Sequence, residues 1–77
     1  MEKLKNIMSK VLNVSEKEIN EKISRGNPEA WDSFNHLLLI SEIEKEMKIG
    51  FTIQEVERIK KFKDLVKVIA KKERQNR

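Results

Sequence analysis

Apolar residues recur along this chain with the 3.6-residue period of helices and nowhere alternate with polar ones as a strand requires. Leu4, Ile7, Met8, Val11 and Leu12 make one stripe over three turns, which predicts a first helix from about Glu2 to Asn13. In "NVSEKEIN", Ser15 and Glu18 have capping-box spacing and predict a short turn that buries Ile19. "SRGNPEA" holds Gly26 and Pro28, which break any regular element and predict a long connection. A second helix is expected from Asp32 or Ser33 to about Lys48, closed by Gly50. Thr52 and Glu55 repeat the capping signature ahead of a short third helix holding Val56 and Ile59. The last helix, from about Lys63 to Glu73, presents Leu65, Val66 and Ile69, with Phe62 just ahead of it. The pattern reads as all-α: a small four-helix bundle of three main helices and one short one, with a long loop between helices 1 and 2.

The second helix is apolar on two sides. At 100° per residue, Leu39, Ile40, Ile43 and Met47 share one arc, the expected core face. Phe34 and Leu38 lie roughly opposite, Leu37 sits on the shoulder between, and Ser41 and Lys45 continue the outer strip. Two arrangements satisfy this pattern. In one, the outer strip is a docking surface for a partner. In the other, Phe34 packs back onto the loop and Leu37 onto a neighbouring helix, which leaves Leu38 alone exposed.

Composition narrows the function classes. A chain of 77 residues, 38% hydrophobic, reads as one domain spanning residues 1–77. A chain this size buries only about 60% of its unfolded surface, so it has room for a binding surface or an attachment point but little for an enclosed active site. No enzyme is expected. Cysteine is absent, which excludes disulfides and cysteine-bound metal, and no metal is expected in the domain. No early apolar run resembles a signal peptide and nothing approaches membrane-spanning length, so the expected setting is the cytoplasm, without a membrane partner.

The net charge of +4 belongs to the last third, where Glu57 to Arg77 holds nine basic and three acidic residues. The basic tail at about 71–77, "KKERQNR", reads as a solvated, frayed helix end with its cations well placed against the dipole. The same basicity raises a helical nucleic-acid-binding module as an alternative, with salt-sensitive affinity. Against it, the lysines read as spread around the helix and aromatic residues are few, at 5%. No nucleic acid partner is expected.

Ser33, beside the outer apolar strip, is the candidate for chemistry. As a hydrolytic nucleophile it would need a base and an orienting group. His36, the single histidine, lies near the core arc of the same helix, and no G-x-S-x-G elbow is present. From the residues alone, Asp32 or Ser33 serves more simply as the cap of the second helix. Trp31, just before this pair, has three possible roles: packing the loop onto the helix, shielding an attached group, or contacting a partner, with packing preferred for its apolar area.

The order of helix, long loop, "DSF", helix, short helix and helix resembles the acyl carrier protein family over nearly the whole chain. Members of that family carry an Asp-Ser-Leu motif at the start of the second helix, matched here by Asp32, Ser33 and Phe34. "LLLISEIEKEMKIGFT" resembles the rest of that helix, with Glu44 to Met47 matching its acidic–aromatic end, and "EVERIKKFKDLVKVI" resembles the third and fourth. The resemblance implies that Ser33 carries 4′-phosphopantetheine, with Asp32 beside it in the cofactor-binding motif. It implies a monomeric carrier of thioester-linked acyl groups for fatty-acid or specialised biosynthesis. Its partners would be a phosphopantetheinyl transferase, whose Mg²⁺ stays with the transferase, and acyl-activating and acyl-transfer enzymes. A carrier of aminoacyl groups such as D-alanine would use the same serine.

The chain departs from the family in ways that bear on partners. Asn35 and Leu38 stand where acidic residues are frequent, and Lys45 puts a positive charge on the outer strip, while Glu42, Glu44 and Glu46 flank it. The partner-binding residues expected are therefore Phe34, Leu37, Leu38, Ser41, Glu42 and Lys45, with apolar contact dominant. Trp31 in "WDSF" points to a stand-alone carrier of a dedicated pathway rather than a housekeeping one. A long acyl group would lodge among Ile40, Ile43 and Ile59; a short one would stay in solvent.

Overall fold

The computed structural model describes residues 2–75, which form helices α1 (Glu2–Leu12), α2 (Ser33–Met47), α3 (Ile53–Arg58) and α4 (Phe62–Gln75), with a 3₁₀ turn at Glu16–Glu18. Leu4, Ile7, Met8 and Leu12 bury the predicted face of α1. The helix stops because Asn13 turns left-handed (φ 56°), which brings the Val14 amide back to the Ser9 carbonyl at 3.2 Å. Asparagine tolerates that conformation better than other side chains except glycine.

Two of the expected element ends form differently. Ser15 precedes the 3₁₀ turn with extended backbone, yet its hydroxyl makes no capping bond. In a 3₁₀ turn the third amide already belongs to the carbonyl three residues back, and Glu18 N–H donates to Ser15 O at 3.0 Å. The turn still buries Ile19. At the far end of α2 the left-handed residue is Lys48 (φ 55°, ψ 46°) and not Gly50. Phe51 N–H, next in line, donates to the Glu44 carboxylate at 2.9 Å, which ties the end of α2 to the start of α3.

The predicted cap of α3 is complete. Thr52 Oγ1 accepts from Glu55 N–H at 3.1 Å, and Glu55 Oε1 accepts from Thr52 N–H at 2.8 Å. Lys72 of α4 reaches Glu55 Oε1 at 2.7 Å while its ammonium sits 5.5 Å from the centre of the Phe51 ring. Helix α4 runs to Gln75, so residues 71–75 of the expected frayed tail are helical; Asn76 and Arg77 lie outside the described residues. Along α4, Lys63, Lys67 and Lys71 are exposed at four-residue spacing and so share one side, while Lys72 faces Glu55 of α3, so the lysines of this helix point more than one way.

One core is shared by Leu4, Met8 and Leu12 of α1, Leu39 and Ile43 of α2, Leu65 and Ile69 of α4, and Ile19, Trp31 and Ile59 of the connections, all at most 1% exposed; α3 adds only the partly buried Val56. Helix α1 packs against α2. Among the described residues no helix is long and apolar enough to cross a membrane.

The connection between the 3₁₀ turn and α2 is more ordered than its composition suggests. Ser24 and Asn27 exchange both backbone bonds at 2.9 Å around Arg25 and Gly26, and Gly26 takes the positive φ (90°) this tight turn needs. The same segment is stitched to the α3–α4 junction: Arg25 N–H donates to Lys60 O at 2.8 Å, and Phe62 N–H donates to Ile23 O at 3.1 Å. Gly26 N–H then bonds Trp31 O at 2.8 Å, which closes the loop onto the foot of α2.

Candidate functional site

The first turn of α2 separates the two roles that Asp32 and Ser33 share on paper. Asp32 is the cap: its backbone is extended and its Oδ1 accepts from Asn35 N–H at 2.8 Å. Ser33 is the first helical residue. A side chain at that position points back past the helix end, and Ser33 is exposed, with no hydrogen bond to its hydroxyl among the described residues. Asn35 secures the entry by donating from Nδ2 to Ala30 O at 2.7 Å. The arrangement is a fixed backbone carrying an open hydroxyl.

Beneath it lies a buried polar relay. Trp31 is wholly buried, so among its three possible roles packing is the one the structure supports. Its indole N–H donates to His36 Nδ1 at 3.0 Å, and the rings stack with centroids 6.1 Å apart at 28°. Because Nδ1 accepts, the imidazole proton sits on Nε2, which donates to Val56 O of α3 at 2.8 Å. His36 is 2% exposed and has both nitrogens satisfied. Burial pushes its pKa below the ordinary value of 6.5; the Val56 carbonyl opposes that shift, and the positive charge of Arg25 adds to it. A histidine held neutral, facing the core and bonded on both sides is not a base for Ser33. Its work is to join the loop, α2 and α3 where the serine emerges.

Beside Ser33 opens a groove of about 730 Å³, lined by Trp31 and Asp32 on the α2 side, by Arg25 and Glu29 of the loop, and by Lys60 and Lys61 of the α3–α4 junction. The sequence placed the two lysines in the basic last third, away from the serine. The backbone bonds between residues 23–25 and 60–62 bring them to its side.

The outer face of α2 is bare. Phe34 is 74% exposed, Leu37 62% and Leu38 42%, so Phe34 does not fold back onto the loop and Leu37 finds no cover on a neighbouring helix. Ser41 and Lys45 are exposed on the same strip. Glu42 stands apart from them, half-buried and lining a crevice with Asn6, Ile7 and Lys10 of α1. Ile53, the first residue of α3, is 76% exposed and absent from the expected contact set. Its position ahead of the predicted helix and outside the Val56–Ile59 face was the available signal. Ile40, Ile43 and Ile59 are all buried in the core. Neither protein-family models nor curated proteins gave a match to this chain.

Proposed function

We propose that the chain is a carrier domain in which a separate transferase moves 4′-phosphopantetheine from coenzyme A onto Ser33: the hydroxyl oxygen bonds to phosphorus as the pyrophosphate bond breaks, 3′,5′-ADP leaves, and the hydroxyl proton passes to the transferase. The observation that carries this reading is the division of labour at the start of α2: Asp32 holds the cap, and the Ser33 hydroxyl is left exposed and unbonded. A serine that is only a helix cap has its oxygen on the amide two or three residues ahead.

The residues present fit the group. Attachment leaves a phosphodiester at the mouth of a fifteen-residue helix, where first-turn amides and the dipole favour negative charge. The bound arm would supply a terminal thiol for thioester-linked cargo. The chain's own contribution is position: the Trp31–His36–Val56 relay and the Asn35–Ala30 bond fix the serine, and no side chain covers it. No base is needed in the domain when the transferase activates the hydroxyl, and His36 supplies none.

The exposed strip beside the serine fits partner docking. Three large apolar side chains in solvent within the first two turns would bury well against the surface of a loading or consuming enzyme, with Ser41 and Lys45 farther along the strip.

The deciding measurement is intact mass after incubation with coenzyme A, Mg²⁺ and a broad-specificity phosphopantetheinyl transferase. A gain of one phosphopantetheine is expected for the natural chain and none for Ser33→Ala. No gain with several transferases would overturn the carrier reading and leave an apolar protein-interaction module. Once a cognate partner is in hand, Leu38→Glu should reduce its turnover at least tenfold with folding intact, about the effect of 1.4 kcal/mol at an interface. Full turnover would remove Leu38 from the docking face.

A further inference from the structure

Arg25, Lys60 and Lys61 come from two segments far apart in sequence, and the backbone bond from Arg25 N–H to Lys60 O and the Ser24–Lys61 bridge hold them together. They line one groove together with Asp32 and Glu29, three cations against two carboxylates, and the excess positive charge favours an anion there. The neighbouring acids do not pair with them. Asp32 spends an oxygen on the cap, Asp64 accepts from the Lys60 backbone and not from its ammonium, and Glu29 makes no ion pair with them. Among the described residues the one ion pair is Lys72–Glu55. Arg25 is also half-buried and lines the groove beside Trp31 and Asp32 at the foot of α2.

We infer that this groove is a phosphate-binding site, in which Arg25, Lys60 and Lys61 hold a phosphate group next to the Ser33 hydroxyl. The inference rests on the carrier reading for its ligand, and the shared chemistry has two sources. One is the phosphodiester of an arm attached to Ser33; the other is a phosphate of free coenzyme A arriving before transfer. Lysine ammonium groups act as mobile point charges and suit a phosphate whose position shifts, while the arginine fork gives two directed N–H groups. Held this way, the base of the arm would leave the protein in a set direction along the groove.

The test uses the ¹⁵N-labelled full chain. The unmodified form is titrated with free phosphopantetheine, coenzyme A and inorganic phosphate, and the modified form is observed by ³¹P NMR. Saturable shifts of the Arg25, Gly26, Lys60 and Lys61 amides in the unmodified chain are expected, weakened about tenfold or more in R25Q/K60Q/K61Q, the effect of losing one charge-assisted hydrogen bond. The milder K60Q/K61Q leaves the half-buried Arg25 in place and serves if the triple variant unfolds. Raising NaCl from 50 to 500 mM should weaken the binding of both chains, and the natural chain more. Saturation by coenzyme A in the unmodified chain identifies the free donor as a source. A ³¹P shift in the modified chain that moves in the variants identifies the attached phosphodiester. Non-saturating titrations together with a ³¹P resonance indifferent to the variants would overturn the site. The two readings fail separately. A chain that takes no arm but binds free phosphopantetheine keeps the groove and loses the carrier role; a chain that takes the arm with no response at Arg25, Lys60 or Lys61 does the reverse.

Discussion

Helices α2 and α3 both begin with a side-chain cap bonded to the amide three residues on, and the two caps are completed differently. At α3, Thr52 and Glu55 satisfy each other's backbone, and Lys72 locks the glutamate from α4. Both cap side chains of that start are therefore engaged inside the protein. At α2, the third position holds Asn35 where α3 has Glu55, and Asn35 turns its side chain to the preceding loop. Asp32 alone makes the cap, and the next residue is a serine with nothing to do for stability. The α3 cap is closed within the fold, while the α2 cap leaves one hydroxyl exposed, as the proposed carrier role needs.

The strongest way to break this comparison is to remove what holds the open end in place. Trp31→Ala should cost about 3–5 kcal/mol by urea denaturation, the range for truncating a buried large aromatic, because it also strips His36 Nδ1 of its donor. Trp31→Phe keeps the bulk and should cost about 1–3 kcal/mol for the unsatisfied ring nitrogen. Equal stability of both variants and the natural chain would mean the relay holds nothing.

Acid tests the same relay without mutation. The folded state depresses the pKa of His36, so around pH 6 the unfolded chain binds more protons, and stability rises with pH through that range. Melting temperature should therefore fall as pH drops below about 6.5, and His36→Gln should flatten the dependence between pH 6.5 and 5. The carboxylate of Glu55 is also held below its ordinary value, first by Lys72 and then by Thr52. Its share of stability is lost only in a second step, as pH falls below about 4.5, and Lys72→Ala should weaken that step while leaving the first.

The smallest effects separate the two caps. Asp32→Ala and Thr52→Ala should each cost about 1 kcal/mol, within the usual range for a lost cap, whereas Ser33→Ala should stay within about 0.5 kcal/mol of the natural chain. A Ser33→Ala cost equal to the other two would show that its hydroxyl caps after all.

The helices were legible because burial acts through side chains in register. The stripe of Leu4, Ile7, Met8 and Leu12 and the Thr52–Glu55 pair each predict an element that forms as read. Ser33 was legible as a candidate, but its freedom was not, since either Asp32 or Ser33 fits a cap by composition. The outer face of α2 was undecided for a related reason: a helical wheel separates two sides but does not say which has a neighbour. What stayed hidden was made by main-chain atoms. The bonds from residues 23–25 to 60–62 use N–H and C=O groups that every residue has, so "SRGNPEA" gives no sign of them, nor of the cations they gather at Ser33. The end of α2 at Lys48 escaped notice because glycine is the usual left-handed residue and one stood two positions later.

The stitched loop has a consequence for handling the molecule. A segment with glycine, proline and an arginine would ordinarily be the first place trypsin cuts. Here the Arg25–Gly26 peptide lies inside a turn whose flanking amides are bonded to Lys60, Trp31 and Asn27, and a protease must unfold such a turn to thread it through its cleft. Cleavage after Arg25 should thus be slow and report opening of the core, and deuterium should enter the Arg25 and Phe62 amides at one common rate.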